Sequence, residues 1–310
     1  MNTSNEHNPI SPTELHQWME SNKNFHLIDV LPDDRFRKIH LPHSVNACVF
    51  EVTFIDQIKT IVSDKNAAIV LCGSCGESME AITAAGKLEH AGYTNIYVLI
   101  GGMEAWRAAN LPVEGEAVDA LDDAPPLKLE DQSFQVDTNK SVIEWTGRNA
   151  HSTHFGEVKI AAGEIAVKDG VITGVFDINM NSITNKDLEG NAMQPVLIAH
   201  LKSDDFFLTK LFPTAQLKIQ SAKPVTEPCL SAPNFAVNGI LELRGVKAEL
   251  EFMATVTRTA ENGLTAEAHF DIDRTRWNII YGSARFFKYL GKHLVFDLIS
   301  IQVRITADAH

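Results

Sequence analysis

Two hydrophobic rhythms divide the chain. Up to about residue 115, short apolar runs alternate with stretches of helical spacing. Ser11-Pro12-Thr13-Glu14 is a capping box with proline at the first helical position, and predicts a helix to about Ser21. Residues 25–30, 67–71 and 95–99 read as strands, the second apolar enough to be covered on both faces as in a parallel sheet. Residues 77–91 space Met79, Ile82 and Leu88 as a helix stopped by Gly92, and residues 102–109 predict a last helix before Leu111-Pro112. Strands alternating with helices predict a small α/β domain with a central parallel sheet.

From residue 132 the period becomes two. Phe235, Val237, Gly239, Leu241 and Leu243 alternate with polar or smaller neighbours. Ala248, Leu250, Phe252, Ala254 and Val256 do the same, as do Leu264, Ala266, Ala268, Phe270 and Ile272. Ile143/Trp145, Ile165/Val167, Phe176/Ile178/Met180 and Leu217/Ile219 extend the pattern. Such segments are antiparallel strands with one apolar face, and about eight of them predict a closed or nearly closed barrel. Its inward set mixes Gly and Ala with Phe and Leu, which leaves room inside. Trp145, Phe176, Ile178, Phe252, Ala254, Ala268 and Phe270 are the expected lining of that room.

Charge marks the seam. Residues 116–131 carry six acidic side chains against one lysine, together with the pair Pro125-Pro126, and read as an extended linker between domains at 8–115 and 132–307. The whole chain of 310 residues has a net charge of −13. That excludes a nucleic-acid partner, which needs a basic face, and disfavours tight docking on anionic lipid. No apolar run is long enough to span a bilayer, and the first residues lack a secretory signal. With four scattered cysteines, Cys48, Cys72, Cys75 and Cys229, the expectation is a cytoplasmic protein with reduced thiols.

Cys72-Gly73-Ser74-Cys75-Gly76-Glu77-Ser78 follows the strand at 67–71 and leads into the next predicted helix. Loop amides and a helix N-terminus favour a thiolate, so Cys72 is the expected nucleophile and Cys75 a resolving or second thiol. The same Cys-x-x-Cys spacing also suits half a zinc site or a dithiol–disulfide switch, but no second such pair completes a zinc site. Cys48 reads as core and Cys229 as incidental. His40 and His43 read as structural, and Trp106 as core.

Leu27-Ile-Asp-Val30, Phe36-Arg-Lys-Ile-His-Leu-Pro-His-Ser-Val-Asn46, the cysteine loop, and Gly92-Tyr-Thr-Asn-Ile-Tyr-Val-Leu-Ile-Gly-Gly-Met-Glu-Ala-Trp106 resemble, in that order, a single-domain rhodanese. The resemblance implies a rhodanese-like fold and a persulfide carried on Cys72, with Gly73, Ser74, Gly76, Glu77 and Ser78 as its active loop. Glu77 departs from the family, which usually has a cation there. An anionic loop repels thiosulfate and raises the Cys72 pKa. The resemblance therefore implies sulfur exchange with a neutral or protein-bound donor and a thiol acceptor.

The second part shows no nucleophile elbow or metal triplet. His151-x-x-His154 lacks a nameable third ligand, and Asp271, Asp273, Arg274 and Arg276 read as a solvated face. Phe134-Gln-Val-Asp137 through Ser141-Val-Ile-Glu-Trp-Thr-Gly147, His154-Phe-Gly156, His200-Leu-Lys-Ser-Asp-Asp-Phe-Phe207, Phe212-Pro-Thr-Ala215 and Val237-Asn-Gly-Ile-Leu-Glu-Leu-Arg-Gly-Val246 resemble the YceI-like family. Asp273-Arg-Thr-Arg-Trp-Asn278 is loosely similar to that family's later arginine motif, with Trp277 and Asn278 where an aromatic and Gly are usual. This resemblance implies a lipocalin-like barrel around an isoprenoid lipid or quinone, with no cofactor required and no metal. The competing expectation is a non-enzymatic lipid-binding or redox-sensing protein, in which the rhodanese-like domain is inactive or regulatory.

Overall fold

A computed structural model describes residues 7–21, 23–117, 129–226, 231–259 and 261–309. The chain divides into two units, Met1–Ala124 and Pro125–His310. Most of the linker stretch, residues 118–128, and Cys229 lie outside the described residues.

The first unit contains β1 (Asn8–Ile10), α1 (Pro12–Glu20), β2 (His26–Asp29), α2 (Asp33–Lys38), β3 (Val45–Asn46), α3 (Phe54–Ile61), β4 (Ile69–Cys72), α4 (Glu80–His90), β5 (Ile96–Leu99) and α5 (Gly102–Ala108). Its strands form one parallel sheet in the order β1-β5-β4-β2-β3. Helix α1 starts as the capping box requires, with Ser11 Oγ accepting from Glu14 N–H at 3.2 Å. Strand β4 is central, and all four of its residues are buried. Ile69 and Leu71 face Ile28, Phe54 and Leu88, while Val70 and Cys72 face Leu15, Met103 and Trp106. Trp106 also donates its indole N–H to Pro112 O at 2.8 Å.

The second unit contains β6 (Gln132–Val136), β7 (Val142–Arg148), β8 (Thr153–Lys168), β9 (Val171–Asn179), α6 (Gln194–Lys202), β10 (Thr214–Pro224), β11 (Phe235–Leu243), β12 (Val246–Arg258), β13 (Leu264–Asp273) and β14 (Leu298–Ala309). Each of β7 to β14 pairs antiparallel with the next, and β14 pairs with both β13 and β7, so eight strands close into a barrel. Strand β6 runs between the far ends of β14 and β8, beyond the reach of β7. One stave is thus made of two short strands. In β8 the register shifts between Ile160 and Ala162, and buried positions change from even to odd numbers across it. A bulge inserts one residue and so exchanges the inward and outward faces.

No helix among the described residues is long and apolar enough to cross a membrane.

Candidate functional site

The cysteine loop differs from its sequence expectation in one decisive respect. Helix α4 begins at Glu80 rather than Glu77, so residues 73–79 form an extended loop and no helix start lies directly after Cys72. The loop is fastened instead to α5: Gly73 O accepts from Met103 N–H at 2.9 Å and Ser74 O from Glu104 N–H at 3.0 Å. Gly102 makes the close approach possible. Its φ is +56°, and a Cβ there would stand 2.5 Å from Gly73 O. Two amides of the α5 N-terminus are therefore spent on loop carbonyls.

Cys72 itself is completely buried, with Sγ 3.5 Å from Gly73 O, and Cys75 is half-buried. Across the sheet, Asp29 is the direct neighbour of Cys72. Its Oδ1 accepts from Leu31 N–H at 2.9 Å, while its buried Oδ2 has no hydrogen-bond partner among the described residues. Burial raises the Asp29 carboxyl from 3.8 to about 6, outweighing the Leu31 N–H and the charges of His40 and Arg35. Glu80 accepts from Ser74 Oγ on Oε1 at 3.0 Å, and its buried Oε2 is likewise unpartnered. That free oxygen stands over Gly73, 3.2 Å from where a Cβ would be.

Burial first, then Asp29 and Glu80, push the Cys72 thiol well above its ordinary value. This corrects the expectation of a thiolate-favouring loop. It also corrects the source of negative charge: Gly76 and Glu77 are exposed and Ser78 is half-buried, and the carboxylates that act on Cys72 are Asp29 and Glu80. Cys48 is buried. His40 stacks on Phe36 at 4.1 Å and bonds through Nδ1 to Phe36 O, while His43 occupies a turn at φ +63°.

The barrel interior is hollow. A cavity of about 350 Å³ occupies one end, walled by Trp145, Ile178, Leu241, Phe270 and Ile301 among others. A narrower one of about 110 Å³ continues toward Phe176, Phe252, Ala254 and Ala268. Ile143, Ile178, Leu217, Phe270 and Val303 belong to the walls of both. All seven inward residues singled out from the sequence thus lie along this hollow. Phe252 and Phe270 stack across neighbouring strands at 4.3 Å.

The segment between β9 and β10, including α6, caps the wider end with Ile183, Leu201 and Phe206. Trp145 fixes the cap by donating its indole N–H to Thr184 O at 3.1 Å. Gly156 is required there, because a Cβ would overlap Thr184 O. Polar side chains gather at this end: Arg148, Asn149, His154, His200, Tyr281, Lys292 and His293. His154 bonds to Asp187 at 2.8 Å rather than pairing with His151, and His200 bonds to Asp205 at 3.0 Å. Among the described residues, no three His, Cys, Asp or Glu side chains are placed to hold a metal.

Arg274 corrects the reading of a solvated charge cluster. It is completely buried, and its guanidinium donates to Ile279 O at 2.6 Å, Val295 O at 3.0 Å and Phe296 O at 3.1 Å. Burial lowers its pKa, opposed by Asp297 and Asp273. Asp273 ends β13 and starts a 3-10 turn, Arg274–Trp277, which turns the next side chain inward. Sequence alternation carried through Asp271 and Asp273 gave no sign of that turn. Asp29, Glu80 and the cap pairs were also missed, since each depends on neighbours distant in sequence.

Family models match both parts, a YceI-like domain at residues 134–309 and a rhodanese-like domain at residues 11–109. The adenylyltransferase and sulfurtransferase UBA4 of Candida albicans is 31% identical over 102 residues, covering 31% of this chain but only 23% of that protein. Burkholderia cenocepacia BcnA is similar in structure at 16% identity and a TM-score of 0.44, over 55% of this chain and 98% of that one. A polyisoprenoid binding domain from Saccharophagus degradans, implicated in plant cell wall breakdown, gives 14% and 0.41 over 58% and 99%. With more than half of its length matched by one family model, and the barrel closed as described, the chain belongs to the YceI-like family and carries a rhodanese-like domain ahead of its barrel.

Proposed function

We propose that the barrel binds one isoprenoid-type lipid, a polyprenyl chain or the tail of a quinone. The observation that carries this reading is the apolar hollow, whose larger chamber alone falls within the roughly 300–1,000 Å³ usual for ligand pockets. An isoprenoid tail suits the narrow chamber because each buried CH₂ contributes about 0.8 kcal/mol without a polar partner. The polar side chains at the wide end suit a head group, so the lipid enters tail first. The test is titration of the full chain with a fluorescent polyprenol analogue in detergent. Wild type should saturate at one per chain, and Ala254→Phe or Ala268→Phe should abolish uptake without lowering the melting temperature. No saturable uptake by wild type would refute the reading.

The unpartnered Glu80 oxygen favours a second activity, sulfur relay at Cys72. The sulfurtransferase in the name of the Candida relative is consistent with it. As Cys72 sulfur bonds to the outer sulfur of a protein persulfide, the donor S–S bond breaks and the donor leaves as a thiolate. Glu80 takes the Cys72 proton, and an acceptor thiol later removes the sulfur. Free Cys48, Cys72 and Cys75 suit this chemistry and a reducing, cytoplasmic location. Glu80→Gln should slow persulfide formation from a persulfide donor at least tenfold. An unchanged rate would remove Glu80 from the mechanism.

A further inference from the structure

Between the 3-10 turn and β14 the chain leaves the barrel in a loop that is firmly held. Arg274 bonds to carbonyls on both of its stems, Ile279 on one side and Val295 and Phe296 on the other. Val295 N–H donates to Gly282 O at 2.9 Å, and Ser283 O accepts from both Phe286 and Phe287 N–H. Arg285 is engaged by Asp273 at 2.7 Å and Asp297 at 3.1 Å. Tyr281 Oη lies 3.2 Å from His293 Nδ1 across the loop.

This anchored loop displays its aromatic side chains to solvent. Phe286 is 54% exposed, Phe287 45% and Tyr289 101%, with Phe296 and Leu298 exposed beside them. Tyr289 has φ +61°, a costly conformation for a bulky residue, and its ring is fully exposed. Residues 283–293 contain Lys288 and Lys292 and no carboxylate, Arg285 being neutralised by Asp273 and Asp297, within a chain of net charge −13. The same loop reaches the cavity, since Lys292, His293, Val295 and Phe296 line its wide end.

We propose that this loop seats the barrel mouth on an anionic lipid bilayer, so that an apolar chain passes between membrane and cavity without crossing water. The inference rests on the lipid-binding reading above. Aromatic rings interleaved with lysine match a membrane interface, where rings sit at head-group level and lysine meets anionic lipid. Whole-chain charge argues against docking, but beyond about one Debye length, 8–10 Å, it is largely screened. Close to the surface the local lysines dominate. The continuity of patch and cavity selects a bilayer over a protein partner.

The test is flotation of the full chain with vesicles of equal parts phosphatidylcholine and phosphatidylserine. Wild type should float, and the triple variant Phe286→Ser/Phe287→Ser/Tyr289→Ser should lose about tenfold in partition while keeping its melting temperature and its uptake of detergent-delivered polyprenol. Lys288→Glu should weaken binding to these vesicles roughly tenfold, and leave binding to pure phosphatidylcholine unchanged. A wild type that stays in the soluble fraction overturns the proposal, as does a triple variant that floats like wild type. A wild-type dimer that the triple substitution dissociates, with no flotation, gives the patch to a second copy and also overturns it. A wild type that floats but takes up no polyprenol refutes the cavity reading and supports the docking one.

Discussion

The two interiors of this protein are built to opposite specifications. In the parallel-sheet unit Ile28, Ile58, Ile69, Leu71, Ala84 and Trp106 retain no accessible surface at all. In the barrel Trp145, Phe176, Ile178 and Leu241 each keep 9%. That residue of accessibility is the wall of the hollow. The filled interior also contains unpaired polar atoms, Asp29 Oδ2 and Glu80 Oε2, sealed beside a thiol. Around the hollow, polar side chains gather mainly at the wide end, with Thr173 and Glu267 on the narrow chamber's wall. A sealed polar site is tuned for proton chemistry, whereas an empty apolar one is shaped for a ligand that needs no hydrogen bond.

The largest effect expected is electrostatic and belongs to the filled unit. Native Asp29 holds its proton up to about pH 6, while in the unfolded chain it ionises near 3.8. Between those values the native state binds more protons, so stability falls as pH rises through the window and is level above it. The loss attributable to Asp29 should be about 3 kcal/mol at neutral pH. Urea unfolding at pH 4 and pH 7 should show this loss in wild type relative to Asp29→Asn. Parallel pH dependence in both proteins would show that the carboxyl is not destabilised by burial.

Next comes packing. Ala85→Phe, in the filled core, should cost about 1–3 kcal/mol or prevent folding through overpacking. Ala268→Phe, in the narrow chamber, should leave the melting temperature within a degree or two because space receives the ring. Equal costs at both positions would erase the distinction between the interiors.

Thiol labelling gives a smaller and more local contrast. Cys75 should react with iodoacetamide well before Cys72, which is sealed and held protonated. Glu80→Gln, by removing the carboxylate that takes the Cys72 proton, should slow Cys72 labelling several-fold. Glu77→Gln, on the exposed side of the loop, should leave it unchanged. A larger response to Glu77 than to Glu80 would contradict the placement of the charges.

What the sequence disclosed follows the range of the forces involved. The alternation in β11, β12 and β13 is local, and each predicted inward residue faces the interior. The capping box of α1 is equally local. Register shifts within β8 and β10 were not legible, because a bulge is fixed by the partner strand and leaves no mark in residue type. Nor was the start of α4: Glu77, Ser78 and Met79 suit a helix by residue type, and the anchoring of Gly73 O and Ser74 O on α5 joins residues distant in sequence. Arg274 was the clearest failure, since a charged residue within a charged run gives no sign that three carbonyls await it.

The central claim, that the barrel is hollow in order to carry an apolar chain, is most directly tested by native mass spectrometry of the full chain after incubation with a polyprenol. Wild type should show a single adduct of polyprenol mass, absent from Ala268→Phe at an unchanged melting temperature. A bare wild-type mass, or an adduct retained by Ala268→Phe at equal abundance, would contradict it.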